Sequence, residues 1–233
     1  MTATSPASPR ERILEAALTL LERGGVEAVS TRAVSAAAEV QVPTLYRQFG
    51  DMQGLLDAVA SAGYATYLQV KTARASSGDP VADLRAGWDG HVAFGLEHPH
   101  LYALMYAAPR PQAPTPAARE AAALLRALLE RVAAAGKLAL GVDSAAAMIH
   151  AAAVGVTLTS LKHQPPDPHL SERMREAVLG AVLVARPGAP SSAVQPQAAA
   201  HAVALVALLP GLETPFSAAE QALLIEWLAR LSP

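Results

Sequence analysis

The chain has 233 residues, of which 52% are hydrophobic and 16% are charged, and its formal net charge at pH 7 is -2. This length suffices for one large domain or for a small domain joined to a larger one. The composition excludes a largely disordered protein. The chain contains no cysteine, which excludes disulfides, thiol catalysis and cysteine-based zinc sites and fits a reducing compartment such as the cytoplasm.

The first helix is predicted from its two ends. Residues 1–8 form a polar tail that we expect to be disordered and that lacks the apolar segment of a signal peptide. Ser8 and Glu11 then make a capping box, with proline at the first helical position. Gly24 and Gly25 are expected to end the helix.

Residues 30–49 are predicted to form two short helices joined by a tight turn. Ser30 is a good N-cap for the first of these helices, because its hydroxyl can accept a bond from a free amide. Pro43 fits the first turn of the second helix, whose inner face carries Leu45 and Phe49. This arrangement is a helix-turn-helix, the unit whose second helix enters the major groove of DNA.

The outward-facing side chains of this unit are the predicted DNA-binding residues. Gln and Arg can read base edges, and Thr can contact a thymine methyl group. Arg32, on the first helix, is a candidate for a phosphate contact, although an ordinary surface arginine would fit equally well. The alternative for the whole set is simple solvation. The set comprises Arg32, Gln41, Val42, Pro43, Thr44, Tyr46, Arg47 and Gln48.

The same stretch resembles the DNA-binding domain of the TetR family of repressors. The similarity covers residues 9–62 and rests on a spaced series of short motifs, namely Val34-Ser35, Ala38-Glu39-Val40, Thr44-Leu45-Tyr46-Arg47-Gln48-Phe49 and Leu55-Leu56. The resemblance implies a homodimer that binds a palindromic operator in double-stranded DNA and answers to a small-molecule effector. It also implies that Thr44 and Tyr46 hold phosphates.

Three residues depart from the family pattern. Glu39 stands where the family usually has a turn glycine, and Gln48 replaces a common histidine. Met52 replaces a lysine that contacts a phosphate, which weakens the expected grip on DNA. Because of Met52 and the acidic net charge, a helical ligand-binding protein with a vestigial DNA-binding head remains an alternative.

Beyond the head, prolines, glycines and capping residues divide the chain into further helices, and no strand pattern is present. Asp51 is the predicted cap of the fourth helix and Asp143 that of the eighth. The fold class is therefore all-α. The predicted divisions are a tail (1–8), a helix-turn-helix domain (9–50), a connecting helix (51–75), a ligand-binding and dimerisation domain (76–187) and a C-terminal helical extension (188–233).

The effector site is predicted from aromatic, methionine and histidine side chains of the body. Gly87, Gly90 and Gly95 lower the propensity of the fifth helix, so close packing or room for a ligand should offset them. An apolar cavity would favour an aromatic or lipophilic effector, whereas the alternative is that these residues are simply core. The candidates are Trp88, His91, Phe94, Tyr102, Met105, Met148 and His150.

The subunit interface is predicted on the eighth and ninth helices, which the family resemblance implies form a four-helix bundle with the partner subunit. Small residues there would allow close backbone approach. The residues are Ala152, Gly155, Val156, Thr159, Val178 and Val182.

Several other classes of function find little support. The histidine spacing fits no metal site, no cofactor-binding motif is present, and no arrangement of nucleophile, base or paired carboxylates indicates an enzyme. Residues 144–161 are long enough to span a membrane, but a buried helix–helix contact is the plainer interpretation, and we expect no membrane association.

In the C-terminal extension, Ala198–Leu209 is apolar on all sides, so it should be buried. A following helix with a Ser217–Glu220 capping box is expected to cover it with one apolar face, made of Leu223, Leu224, Trp227, Leu228 and Leu231.

Overall fold

The structure is a computed structural model that describes residues 7–72, 76–107, 114–163, 167–184 and 194–231. These residues form eleven α-helices and no strand, apart from one isolated bridge between Leu138 and Leu183. The all-α prediction is confirmed. The helices are α1 (Pro9–Ala28), α2 (Thr31–Ala37), α3 (Val42–Phe49), α4 (Met52–Thr72), α5 (Pro80–Glu97), α6 (Pro99–Tyr106), α7 (Pro116–Ala134), α8 (Val142–Lys162), α9 (Leu170–Val182), α10 (Val194–Leu208) and α11 (Ala218–Ala229).

The helices divide between two compact units. The first unit contains residues 1–73 and 93–121, and the second contains residues 74–92 and 122–233. The long helix α5 therefore contributes its beginning to the second unit and its end to the first.

The first unit is built on the packing of α1 against the helices that follow it. One or a few fully buried aliphatic side chains from each helix meet in its core, and burying a Val, Leu or Ile side chain stabilises the fold by about 1.5–3 kcal/mol. These side chains are Ile13, Ala17 and Leu21 of α1, Val34 of α2, Leu45 of α3, and Leu55 and Val59 of α4.

Local capping determines where several helices begin. The hydroxyls of Ser8 and Ser30 accept backbone bonds from the first turns of α1 and α2, at 3.2 Å each. An oxygen of Asp51 accepts the Gly54 amide at 2.7 Å. These predicted caps are confirmed, but the cap of α8 is not Asp143. The cap of α8 is Gly141, so no side chain caps this helix. Asp143 lies in its first turn.

Gly24 and Gly25 interrupt α1, as predicted, although one further helical turn follows them to Ala28. Gly25 has a φ of 69° and a ψ of -170°, a conformation that residues with a side chain rarely adopt. A Cβ atom added there would lie 3.2 Å from the ring of His100. The interruption therefore requires glycine at this point.

The second unit has an aliphatic core shared by five helices. Its buried side chains come from α5, α7, α8, α9 and α10, and nearly all are Leu, Val, Ile or Ala. They include Leu84, Leu129, Val132, Ile149, Val156, Leu179, Val182 and Val203.

The C-terminal helices agree only in part with the prediction. Helix α10 enters the core of the second unit through Val203, with Ala207 packed beside it. Helix α11 begins at the predicted capping box of Ser217 and Glu220 and packs on α10. However, no residue of α11 is fully buried, and Trp227 is 55% exposed.

The predicted apolar face of α11 is therefore wrong in register. Leu224 and Leu228 are half-buried, together with Ile225, which the prediction did not include. Leu223, Trp227 and Leu231 face solvent instead. A helix with apolar residues all around does not specify its buried side by sequence periodicity, because any side could supply it.

Helix α8 is the one described helix that is long and apolar enough to cross a membrane by length and composition. A third of the relevant window is buried inside the structure, and the buried residues recur every three or four positions at Ala145, Ile149, Ala153 and Val156. That spacing is typical of a helix packing one face on a protein core.

Candidate DNA-binding surface and effector site

The recognition helix α3 has one buried anchor and one exposed side. Leu45 is fully buried, whereas Gln41, Pro43, Tyr46 and Arg47 are exposed. Because α3 has only eight residues, its position depends on this anchor and on contacts with α1, α2 and α4. The exposed side is free to approach a groove of DNA.

The remaining predicted DNA-binding residues lie around the same surface. Arg32 on α2 is exposed, and so is Val42 at the start of α3. Thr44 and Gln48 are half-buried, so only part of each side chain is available to a partner.

A side-chain bond joins the two helices of this surface. The hydroxyls of Thr31 and Tyr46 lie 3.3 Å apart, which links the start of α2 to the middle of α3. Tyr46 remains 43% exposed, so its hydroxyl can also donate a hydrogen bond to a phosphate. Thr31, which follows the cap Ser30, is not among the residues predicted from the sequence.

Arg10 is a further cation that the sequence reasoning did not include. Its guanidinium carbon lies 5.0 Å from the centroid of the Phe49 ring, within the range of a cation–π contact. Arg10 therefore connects the start of α1 to the end of α3. In the sequence, Arg10 stands two residues after the cap Ser8, in the first turn of α1.

The turn between α2 and α3 is strained. Glu39 has a φ of 53°, the one positive φ among the described residues other than glycine. A left-handed backbone costs an ordinary residue about 1–2 kcal/mol. The departure seen in the sequence, glutamate in place of the family's glycine, thus coincides with a conformation that favours glycine.

The predicted effector residues do not form one group. Three of them, Phe94, Tyr102 and Met105, are buried in the first unit. There they join an aromatic cluster that we define as Tyr64 and Tyr67 of α4, Phe94 of α5, and Tyr102 and Tyr106 of α6.

Ring contacts hold this aromatic cluster together. The ring centroids of Tyr67 and Phe94 are 5.2 Å apart, those of Tyr64 and Tyr106 are 5.7 Å apart, and those of Tyr102 and Tyr106 are 4.6 Å apart. These are favourable separations for aromatic pairs. The sequence reasoning missed Tyr64, Tyr67 and Tyr106. The spacing of three residues in α4 and four in α6, which places each tyrosine pair on one helical face, could have indicated them.

Gly63 is what lets α4 and α6 approach at this cluster. A Cβ atom at that position would lie 2.8 Å from Leu101 and 3.0 Å from the sulfur of Met105. Any side chain there would therefore force the two helices apart or displace both neighbours.

Trp88 and His91 lie in the second unit, on α5. Trp88 is buried within the aliphatic core, and its indole nitrogen donates a hydrogen bond of 3.1 Å to the hydroxyl of Ser171. His91 is also buried, and its ring centroid lies 6.3 Å from that of His150, which is exposed on α8. Trp88 is thus accounted for by packing, whereas the two histidines form a pair that reaches the surface.

Met148 does not lie in a buried site. It is 40% exposed, and it shares the exposed side of α8 with Gly155 and Thr159. Its position therefore corrects the expectation of a pocket residue and places it among the candidates for the subunit interface.

Two residues that were predicted to lie in the subunit interface are instead buried within the protomer. Val156 and Val182 are buried in the core of their own protomer, so they cannot offer their side chains to a partner. Gly155 and Thr159 are exposed, whereas Ala152 and Val178 are half-buried. The exposed apolar positions on the neighbouring helix α9 are Met174, Ala177 and Ala181.

No group of three or more metal-ligating side chains is present among the residues that the structure describes.

Comparison with known proteins decides the family. A family model described as "Bacterial regulatory proteins, tetR family" matches residues 13–59, and one described as "Tetracyclin repressor-like, C-terminal domain" matches residues 84–212. The chain belongs to the TetR family of transcriptional regulators. Helix α11 lies beyond the second match.

Curated relatives of this TetR-family chain share only a short segment with it. The HTH-type transcriptional repressor KstR of Rhodococcus jostii is 53% identical over 47 residues, which is 20% of this chain and 22% of KstR. The match thus spans about a fifth of that repressor.

Two solved structures are similar to this chain in fold over most of its length. The multidrug binding protein EbrR, complexed with imidazole, is 25% identical with a TM-score of 0.57, over 76% of this chain and 92% of EbrR. A possible TetR-family regulator from Streptomyces coelicolor A3(2) is 22% identical with a TM-score of 0.53, over 95% of this chain and 97% of its own. That match extends into the C-terminal helices.

Proposed function

We propose that this TetR-family regulator is a repressor that binds a palindromic operator as a homodimer and is released from it by a small apolar or aromatic effector. The observation that carries the DNA-binding part is the exposed side of α3, held in place by the fully buried Leu45. Gln41, Tyr46 and Arg47 on this side supply the donors, acceptors and charge that groove and phosphate contacts need.

The test is a binding titration against an operator selected from a random DNA library. Arg47→Ala should cost about 1–3 kcal/mol at one base position and relax the preference there. Arg32→Ala should weaken binding to all sequences alike and flatten the dependence on salt, because it removes a phosphate contact.

Arg119→Ala is the matched control, because Arg119 is an exposed arginine on α7, outside both the predicted DNA-binding surface and the proposed subunit interface. It should leave both affinity and preference unchanged. A parent protein that selects no discrete, salt-sensitive palindrome would support the alternative of a vestigial head. Arg47→Ala and Arg32→Ala variants that both bind like the parent would refute this choice of DNA-binding surface.

The homodimer is proposed to form through the exposed sides of α8 and α9. Gly155 supports this, because a Cβ atom added there meets nothing within 4 Å in its own protomer. Gly155→Trp should therefore leave the protomer folded and disrupt the dimer by a clash across the two-fold axis. Gly155→Ala is the control and should remain dimeric. Light scattering that finds the tryptophan variant dimeric with native stability would contradict this assignment.

Release from DNA is proposed to follow a shift of populations. One conformation holds the two recognition helices about 34–36 Å apart, the distance of successive major grooves. An effector that binds a conformation with another spacing more tightly draws the dimer away from the operator. The buried aromatic cluster of the first unit, which contains the predicted effector residues Phe94 and Tyr102, supports an apolar or aromatic effector.

Regulators of this family are in general soluble, cytoplasmic and not enzymes, and we propose the same for this chain. No catalytic role is assigned to any of its residues.

A further inference from the structure

Among the described residues, the hydroxyl of Thr31 has one hydrogen-bond partner, which is the hydroxyl of Tyr46. The two oxygens lie 3.3 Å apart. Thr31 is the first residue of α2 and is half-buried, whereas Tyr46 is exposed on α3. The contact therefore joins the start of α2 to a residue of the proposed DNA-binding surface.

Capping does not account for the Thr31 hydroxyl. The cap of α2 is Ser30, whose hydroxyl accepts a backbone amide of the first turn at 3.2 Å. Within longer helices of this chain a hydroxyl can donate to the carbonyl four residues earlier, as Thr66 does to Ala62 at 3.2 Å. Thr31 has no such carbonyl in its own helix, because α2 begins at this residue. Its hydroxyl is thus available to Tyr46.

Other contacts hold α3 itself in place. Leu45 is fully buried, and the guanidinium of Arg10 lies over the ring of Phe49 at the end of the helix. A separation of 3.3 Å between two neutral hydroxyls is longer than the usual O–H···O distance of about 2.7–2.8 Å, so this bond adds little to the stability of the fold. The contact between Thr31 and Tyr46 therefore directs one side chain and leaves the position of the helix to the other contacts.

Hydrogen-bond chemistry decides which hydroxyl donates once DNA is bound. In the free protein either oxygen could be the donor. A hydroxyl has one proton to donate and two lone pairs that accept, whereas the oxygens of a phosphodiester carry no proton and only accept. A Tyr46 hydroxyl that gives its proton to a phosphate can therefore only accept from Thr31. Accepting that bond polarises the phenol and strengthens its own donation.

We propose that Thr31 is a positioning residue of the DNA-binding surface, whose hydroxyl donates to Tyr46 and so directs the phenol proton at a phosphate of the DNA backbone. This inference rests on the proposed function, since Thr31 acts through one of its phosphate contacts. Phosphate contacts carry no sequence information, so losing this one should weaken binding to every duplex by a similar factor. A hydroxyl releases no counter-ion, so the dependence of binding on salt should stay that of the parent.

The test is a double-mutant cycle on the full-length protein with two DNA probes, namely the operator selected from the random library and a mixed-sequence duplex of the same length, both at low salt. Thr31→Val removes the hydroxyl at nearly constant shape and should weaken binding to both duplexes about 2- to 10-fold, the range of one neutral hydrogen bond. Tyr46→Phe should weaken binding at least as much. In the Tyr46→Phe background, Thr31→Val should cause no further loss.

The conservative variant distinguishes hydrogen bonding from packing. Thr31→Ser keeps the hydroxyl and should bind like the parent. A role in packing would give the reverse order, because valine keeps the methyl group of threonine and serine loses it. Thr66→Val, at an exposed threonine of α4 whose hydroxyl bonds the backbone, is the matched control and should leave binding unchanged. Thermal unfolding of each variant checks that it is folded at the temperature of the titration.

Independent losses in the double variant would overturn the proposal, because they would mean that Thr31 contacts the phosphate itself. A loss restricted to the operator would also overturn it, because the pair would then read a base. So would a Thr31→Val or a Tyr46→Phe variant that binds both duplexes as tightly as the parent. The Tyr46→Phe result needs no substitution at Thr31, so a Thr31→Val variant that fails to fold does not protect the proposal.

The mixed-sequence duplex separates this inference from the proposed function. Coupled losses on that duplex, in a protein whose parent form selects no discrete operator, would leave the role of Thr31 in place and refute the repressor. A parent that selects a palindromic operator, with independent losses in the cycle, would leave the repressor in place and refute the role of Thr31. A parent that binds neither duplex would refute both.

Discussion

The two compact units of this protein are built from different chemistry. The first unit concentrates phenol and phenyl rings between α4, α5 and α6, together with the polar surface of α3. The second unit packs aliphatic side chains and surrounds them with ion pairs, such as those of Arg85 and Arg175 with Glu176. The proposed DNA-binding surface and the aromatic cluster both lie in the first unit, whereas the proposed subunit interface on α8 and α9 lies in the second.

The two units can be followed separately, because the tyrosines and the tryptophans lie in different units. All five tyrosines lie in the first unit, at positions 46, 64, 67, 102 and 106. Both tryptophans, Trp88 and Trp227, lie in the second. Tyrosine-ring NMR signals and tryptophan emission therefore report on different units of the same molecule. Coincident unfolding curves from the two probes would mean that the units unfold together.

The largest effect is expected in the aliphatic core of the second unit. Leu129→Ala removes a fully buried side chain of α7 and should cost about 2–5 kcal/mol, because it leaves a cavity. Urea unfolding followed by Trp88 emission, in a Trp227→Phe background, measures the change. Leu205→Ala, at a side chain that is 46% exposed on α10, is the control and should stay within about 0.5 kcal/mol of the parent. Equal changes in the free energy of unfolding for the two variants would mean that Leu129 is not buried in the core of the second unit.

The next largest effect on stability is expected when glycine is replaced by alanine, and its sign should differ between the two units. Gly63→Ala should destabilise the first unit by about 1–3 kcal/mol, because its methyl group would press on Leu101 and Met105. The methyl group of Gly155→Ala on α8 meets nothing within 4 Å in its own protomer, so this substitution should instead stabilise that helix by up to about 1 kcal/mol. Thermal unfolding of both variants, followed by tyrosine and tryptophan signals, tests the pair. A neutral or stabilising Gly63→Ala would show that α4 and α6 are not in close contact.

A smaller effect is expected at the turn of the helix-turn-helix. Glu39→Gly relieves a backbone conformation that costs about 1–2 kcal/mol and adds about 0.5–1 kcal/mol of chain entropy cost. The difference between these two terms is a net gain of between about 0 and 1.5 kcal/mol. Glu120→Gly, on an exposed position of α7, is the matched control and should lose about 0.5–1 kcal/mol. Chemical denaturation of both proteins decides the sign, and a loss at both sites would refute the strain at Glu39.

The sequence predicted what depends on local chemistry. Ser8, Ser30 and Ser217 cap their helices because a hydroxyl at that place bonds the nearest free amide, and no distant residue is involved. The buried position of Leu45 follows from the periodicity of a short helix with one apolar face. The fold class and the position of the buried anchor of α3 could therefore be predicted from local patterns, whereas the DNA-binding role of the exposed side of α3 stays a prediction.

The parts that the sequence could not predict depend on contacts between distant segments. Helix α8 has apolar residues on most sides, so its periodicity does not distinguish Met148, which is exposed, from Val156, which is buried. The aromatic cluster likewise requires α4 and α6 to meet at Gly63, a contact between residues about forty positions apart that no local pattern records.

The smallest effect concerns the ion pairs of the second unit, and it depends on pH. Hydrogen bonds from Arg85 and then from Arg175 lower the pKa of Glu176 from 4.5 to about 2. A carboxyl group with a lowered pKa stabilises the folded state above its unfolded pKa, and this contribution is lost as the pH falls through the folded value. The loss should therefore occur between about pH 4.5 and pH 2.

Glu176→Gln removes this contribution and should lower the melting temperature slightly at pH 7, because exposed ion pairs contribute only about 0–1 kcal/mol. Glu176 is 44% exposed, which limits the effect to that range. The difference between variant and parent should shrink as the pH falls below 4.5 and vanish near pH 2. Glu120→Gln, at an exposed glutamate for which the structure gives no ion pair, is the control and should follow the parent at every pH. A difference that persists unchanged at pH 2 would mean that Glu176 acts through packing, and that the second unit does not gain stability from the charges around its core.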